Sequence, residues 1–264
     1  MVASELILSS GVGEWLLRPV SRPLQALLRL PRAGCCAVLL GMLCGFPVGA
    51  KCAVSALERG ALSREEAERV LLFSTNPSSA FLISAVGISL YDSRRFGLLL
   101  YAVVLLSQLA IGLLFTHLSP SKANATRANE LPLTAPPPTA GAKLFTNAIR
   151  SSCSGILLVC AYVVFFSALM GTLSLMLEQL GATPQWKAAV SSLLELSCGV
   201  STAAALSNAR LSAVLCAFAA GWSGISVHCQ LLSVTEPHRL RLRPYLIAKL
   251  LQGALCALVF AIVL

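Results

Sequence analysis

The chain has 264 residues, of which 56% are hydrophobic and only 12% charged, with a mean hydropathy of +0.79. So apolar a composition cannot be hidden inside a water-soluble core, which excludes a soluble domain and makes the lipid bilayer the first partner of an integral membrane protein. The 20 Lys and Arg outnumber the 11 Asp and Glu, but they sit in the gaps between apolar runs, where membrane orientation needs them. No basic patch with interleaved aromatics accompanies them, so nucleic acid is not an expected partner.

Residues 1–32 form a weakly hydrophobic N-terminal segment carrying Arg18, Arg22, Arg29 and Arg32. From 33 to 57 runs an apolar stretch broken at Gly45-Phe46-Pro47-Val48-Gly49 and followed by Lys51. Gly41, Gly45 and Gly49 recur every four residues, a small face that permits close helix contact. Lys51 has three open readings: binding an anionic group, pairing with Glu195, or snorkelling to the surface. Ser63-Arg64-Glu65-Glu66 is a capping box, with Glu65 and Arg69 paired at i, i+4, so a polar-fronted helix starts at Ser63 and turns apolar at Val70. It stops at Thr75-Asn76-Pro77-Ser78-Ser79, because proline removes a donor and disfavours helix at the residue before it. A short piece follows to residue 90, then an uninterrupted run from 94 to 118, about 37 Å of helix and long enough to cross a bilayer.

Residues 119–143 are polar and include Pro136, Pro137 and Pro138, which marks a linker between two halves. A connecting transmembrane helix is predicted over 144–180, with its apolar centre at 153–177. The second half, 181–264, repeats the plan of residues 33–118: a hairpin broken near Glu195 (187–207), a segment broken at Gly221-Trp222-Ser223-Gly224 (211–234), and an uninterrupted helix (244–264). Lys249 in that helix is read as a snorkelling residue and the Phe and Leu of the long helices as lipid-facing bulk.

Positive charge threads the hairpins. If both enter and leave on one face, segments 18–32, 59–69, 122–150 and 239–243 share a side with fourteen Lys and Arg, leaving Arg94, Arg95, Lys187 and Arg210 opposite. Full crossings would divide the same charges almost evenly, so the asymmetry favours re-entrant hairpins of opposite orientation, an inverted repeat of a kind common in transporters. The fold class expected is all-α integral membrane: re-entrant hairpin, broken helix and transmembrane helix, twice.

Interrupted helices persist in lipid only where protein or a polar cavity satisfies them, so the breaks are the candidate binding site. The first half contributes Gly45, Pro47, Gly49, Lys51, Asn76, Ser78 and Ser79. From the second come Glu195, Ser197, Thr202, Ser223, Ser226, His228 and Gln230. A carboxylate such as Glu195 costs roughly 3 kcal/mol at mid-membrane, so it is either functional, as a cation, proton or hydroxyl-ligand site, or buried against Ser, Thr or Lys51. A lone histidine such as His228 is more often a hydrogen-bonded packing residue than a ligand, and a ligand role is the second reading. No Cys-x-x-Cys, Cys-x-x-His, His-Glu-x-x-His or Gly-x-Ser-x-Gly pattern occurs, so no metal, cofactor or enzymatic activity is expected, and the ten cysteines read as packing residues.

These residues resemble a family. GMLCGFPVGAK at Gly41 to Lys51, SREEAERVLLFSTNPSSAFLISAVG at Ser63 to Gly87, and the second-half Glu195, Gly199 and Gly221-Trp222-Ser223-Gly224-Ile225-Ser226-Val227-His228-Cys229-Gln230 are similar to the motifs of YlbJ-type sporulation integral membrane proteins, from about residue 15 to the end. That family is similar in turn to the nucleoside recognition or Gate domain group, which includes the gate of ferrous-iron transporters and the concentrative nucleoside transporters. The resemblance implies an endospore-forming bacterium, a sporulation-associated cell membrane and a role in building the spore cortex. Family members usually begin with further N-terminal membrane helices, which makes residues 1–32 resemble the remnant of such a region. A second departure lies at Pro77 and the two serines after it, where the family is richer in glycine or cysteine.

Two functional classes follow. One is a transporter-like protein moving or gating a small polar solute or ion, nucleoside-like by analogy, with Asn76, Ser78 and Ser79 facing Glu195, Ser197 and Thr202. The other is a non-transporting membrane scaffold for cortex assembly. A homo-oligomer or a membrane-protein partner is compatible with both.

Overall fold

A computed structural model describes residues 18–118 and 141–263, together with Val2 and Leu6. Nearly half of the N-terminal segment and nearly all of the Pro-rich loop therefore lie outside the described residues, which are helical and contain no strand. After α1 (Arg18–Leu28) come α2 (Arg32–Cys44) and α3 (Val48–Glu58), separated at Gly45-Phe46-Pro47. Next are α4 (Arg64–Ser74), α5 (Phe81–Leu90, wound as a π-helix) and the long α6 (Arg94–Leu118). The second half opens with α7 (Gly141–Gln179) and continues with α8 (Pro184–Leu194) and α9 (Leu196–Ala204), which meet at Glu195. The last elements are α10 (Ala209–Trp222), α11 (Gly224–Thr235) and α12 (Arg243–Val263).

Among the described residues four stretches are long and apolar enough to cross a membrane: residues 94–118, 141–179, 209–238 and 243–263. The chain is thus an all-α, multi-pass membrane protein. The third of these, α10 with α11, is mostly buried inside the bundle, whereas α7 is mostly exposed on its outside.

Local chemistry sets the boundaries. Ser63 Oγ accepts from the Glu66 backbone at 3.2 Å while the Glu66 carboxylate accepts from Ser63 N at 2.7 Å, the reciprocal bonds of a capping box that start α4. Arg69, further along the same helix, donates to the carbonyl of Arg29 at 2.7 Å. Asn208 caps α10 through its side-chain oxygen and Leu211 N at 2.9 Å.

Contacts at the two ends of the bundle show which segments lie together. At one end Arg69 reaches Arg29, His238 pairs with Glu58 at 3.3 Å, and Glu68 accepts from Arg241 N at 2.7 Å. At the other, Tyr91 hydroxyl lies 2.9 Å from Ser212 Oγ, Phe96 meets Phe260 edge-on, and Arg210 donates to the Ala261 carbonyl. Segment 18–32, where α2 begins, and segment 59–69, which follows α3, therefore occupy the same end. The α2–α3 hairpin enters the bundle and returns.

The hairpin is held by backbone contact. A Cβ at Gly41 would lie 2.4 Å, and one at Gly49 2.2 Å, from the Ser74 carbonyl oxygen, so α4 can pass here only because these positions lack side chains. Gly45, with φ of 77°, combines both demands: a positive φ and the Ser78 nitrogen 2.5 Å from where its Cβ would be. Apolar packing then divides in two. One core gathers α2, α3 and α4 around Leu71, Phe73 and Tyr245, and the other gathers α5, α6, α9, α10 and α12 around Leu82, Leu100, Ala217 and Phe260.

Replacing Gly49 by Leu should force α3 off α4 and destabilise the protein by about 1–3 kcal/mol. Leu at Gly171, where a Cβ meets nothing within 4 Å, should leave stability unchanged. Thermal unfolding of the two variants in detergent checks the contrast.

Candidate functional site

Breaking α4 at Thr75 frees backbone acceptors, and the structure fills them from α12. Lys249 Nζ donates to the Thr75 carbonyl at 3.1 Å, to Asn76 Oδ1 at 3.2 Å and to Gln252 Oε1 at 3.0 Å. Gln252 Nε2 donates in turn to Asn76 Oδ1 and to the Val104 carbonyl of α6, both at 3.0 Å. The amide of Asn76 meets that of Gln108, also on α6. All four side chains are buried, with no more than 2% of Lys249 exposed. An ammonium with three donors thus finds three oxygen acceptors, each uncharged.

Lys249 is therefore no snorkelling residue. Tyr245, Lys249, Gln252, Cys256 and Phe260 form a single buried stripe along α12, and the lysine points inward with it. Gln108, Gln252 and Tyr245 are the participants that sequence reasoning missed. The available signal was the cost of an amide inside an apolar span, together with the i, i+3 spacing of Lys249 and Gln252.

Residues of the first break are drawn into its own architecture. Phe46 N donates to the Asn76 carbonyl at 2.7 Å, which ties the α2–α3 break to the α4–α5 break. Ser78 Oγ accepts from Phe81 N at 3.2 Å and opens α5, while Ser79 Oγ donates to the Leu43 carbonyl at 3.3 Å. Pro47 precedes α3 directly, and Gly45 and Gly49 form the contact with α4 already described. Lys51 is spoken for by α7, donating to the Ser151 carbonyl at 2.7 Å, so the Lys51–Glu195 pairing does not form.

The second break is arranged in the same manner with different chemistry. Glu195 is 2% exposed and serves as the N-cap of α9, its carboxylate accepting from Cys198 N at 2.7 Å. A carboxylate at a helix N-terminus is stabilised both by the donor and by the helix dipole. Gly224, with φ of 80°, packs directly on this cap: its Cβ would lie 3.0 Å from Leu196 N and 3.1 Å from Glu195 Cα. Ser223 takes a left-handed conformation between α10 and α11, and Trp222 Nε1 donates to the Leu193 carbonyl at 2.9 Å.

His228 Nδ1 lies 3.1 Å from the Tyr245 hydroxyl, and the imidazole also meets Trp222 edge-on. Its Nε2 is buried without a hydrogen-bond partner among the described residues. Gln230 Nε2 donates to Ser226 Oγ at 3.3 Å. Ser197 and Thr202 line a cavity of about 430 Å³ between α7 and α9, together with Ser167, Ser174, Ser191, Cys198 and Ser201. Ser191 Oγ is buried there with no partner among the described residues. Thr202 bonds back to the Cys198 carbonyl at 2.7 Å.

The two sets of residues are thus not one constellation. Among the described residues no hydrogen bond links Asn76, Ser78 or Ser79 to Glu195, Ser197 or Thr202, and the meeting of the halves at the first break runs through α12 instead. No group of three or more His, Cys, Asp or Glu able to hold a metal occurs among the described residues.

No protein-family model matches the chain, and no solved structure matches it. Over 97% of its length it is similar to the sporulation integral membrane protein YlbJ of Bacillus subtilis (strain 168), with 28% identity across 289 aligned residues that cover 70% of that protein. This similarity supports assigning the chain to the YlbJ type, in accord with its two-part motif.

Asn76→Leu should remove an acceptor from the buried ammonium and cost about 1.5–3 kcal/mol. The double variant Asn76→Leu/Lys249→Met should cost less than the sum of the single changes by about 1–2 kcal/mol, because the charge is then no longer stranded. A double-mutant cycle on thermal unfolding in detergent measures the coupling.

Proposed function

We propose that this chain is a sporulation membrane protein with a Gate-like inverted repeat, which moves or gates a small polar solute or ion across a membrane during spore cortex formation. The observation that carries this reading is the buried polar cluster at the broken α4–α5 helix, reached by Lys249 and Gln252 from the other half of the chain. Half-helix ends and unwound carbonyls buried between two repeats are the usual construction of a transport site.

The threading fits the proposal. Segments 18–32, 59–69 and 239–243 carry ten of the chain's Lys and Arg and meet at one end of the bundle, while Arg94, Arg95 and Arg210 lie toward the other. The positive-inside rule assigns the first end to the cytoplasm. The four groups of residues at the breaks are the binding elements, and the hydroxyl-lined cavity beside α9 is the space nearest to Glu195 along the chain.

Isosteric substitutions separate a solute site from a scaffold. Glu195→Gln and Asn76→Asp keep side-chain shape, and both proteins should reach wild-type levels in the membrane. Expressed in the natural host after deletion of its own copy, each should leave heat-resistant spore counts at the level of the deletion while wild type restores them. Restoration by both variants would establish the scaffold role.

A further inference from the structure

Three neutral oxygens converge on one point at the end of α4: the Thr75 carbonyl, Asn76 Oδ1 and Gln252 Oε1. Thr75 stands directly after the last residue of α4, so its carbonyl belongs to the set left without an intrahelical partner when the helix stops. The negative end of the helix dipole points at the same place. Hard, uncharged oxygens at a half-helix C-terminus are the surroundings in which membrane transporters hold an alkali cation. Here the point is occupied by the ε-ammonium of Lys249, a compact charge whose three N–H groups match the three acceptors.

Nothing anionic among the described residues balances that charge. The two ion pairs there, Lys187–Glu178 and His238–Glu58, involve other groups. Cys256 on α12 and His228 on α11 interact electrostatically with the lysine, Tyr245 shares its buried stripe, and none of the three is a carboxylate. The positive charge is therefore held by dipoles alone, as it would be for a bound ion.

We propose that this oxygen cage is a monovalent-cation site whose resident cation is the Lys249 ammonium. Under the transport function proposed above, on which this consequence rests, no free Na+ or K+ is then taken up at the α4 break. Removing the lysine side chain should open the cage to an alkali cation.

The test is thermal unfolding of the purified full chain in detergent, in choline, lithium, sodium and potassium chloride at equal ionic strength. Wild type should melt at one temperature in all four salts. Lys249→Ala should melt lower in choline and recover in sodium or potassium by about 3 °C or more, the shift expected when a ligand binds only the folded state. Asn76→Asp/Lys249→Ala replaces the lost charge balance with a carboxylate and should respond at least as strongly.

Indifference of both variants to the cation overturns the proposal, as does a wild-type response equal to theirs. Failure of both to accumulate in cells also overturns it, since intracellular K+ would refill a true cation cage. Because melting reports binding and not transport, a cation response can stand even where the spore assay rules out a solute site.

Discussion

A helix that stops inside a bilayer leaves carbonyls and N–H groups that lipid cannot satisfy, and the structure is arranged around meeting that demand. The two breaks of the first half lie against each other, with Phe46 N on the Asn76 carbonyl and Gly45 against Ser78. In the second half Gly224 lies against Leu196 and Glu195 in the same fashion. The glycines follow from this: wherever one break backs onto another, the backbones are too close for a side chain. What backbone contact does not satisfy is met by side chains, Lys249 for the Thr75 carbonyl and Glu195 for the first turn of α9.

Two of the buried charged side chains, Lys249 and Glu195, meet a demand that direct pairing would also have met. Lys51 and Glu195, the pair open on sequence alone, go to separate partners, and Lys249 and Glu195 sit at different breaks. Each lies at a helix end of opposite polarity, the ammonium at the C-terminus of α4 and the carboxylate at the N-terminus of α9. Dipoles fixed by the fold thus stand in for counter-ions. A charge held in this way keeps no salt-bridge partner to release when its surroundings change.

Much of this was legible in local residues. Pro77 after Asn76, the glycine-proline run at 45–49 and the capping box at Ser63 act within a few positions, so the C-terminus of α2 and both ends of α4 could be placed from sequence. The charged segments also pointed to 18–32, 59–69 and 239–243 as sharing an end, where contacts among Arg29, Arg69, Glu68 and Arg241 bring them together; most of 122–150 lies outside the described residues. Partner choice was not legible. Whether a lysine near the start of an apolar helix turns to the headgroups or to the core depends on what lies across from it, and the Thr75 carbonyl is 174 residues away in sequence. Separation in sequence also hid Gln108 and Gln252, 32 and 176 residues from Asn76, which look like interruptions of an apolar run until Asn76 is brought between them.

The cluster around Asn76 also determines what relative motion of the halves must involve. Asn76, Gln108 and Val104 belong to the first half, whereas Lys249 and Gln252 belong to the second, so their hydrogen bonds cross the boundary at which one repeat would rock against the other. The apolar contacts of α12 with α6 can re-form in a shifted packing, since burial of apolar surface is not directional. The hydrogen bonds cannot, because a buried ammonium or amide that loses its acceptor costs about 1–3 kcal/mol or more. Rocking is therefore opposed most strongly at this one point, unless another polar species takes over the acceptors as Lys249 leaves. Under the proposed gating function, the barrier to motion and the proposed binding residues coincide at this cluster, which is the coupling such a pathway requires.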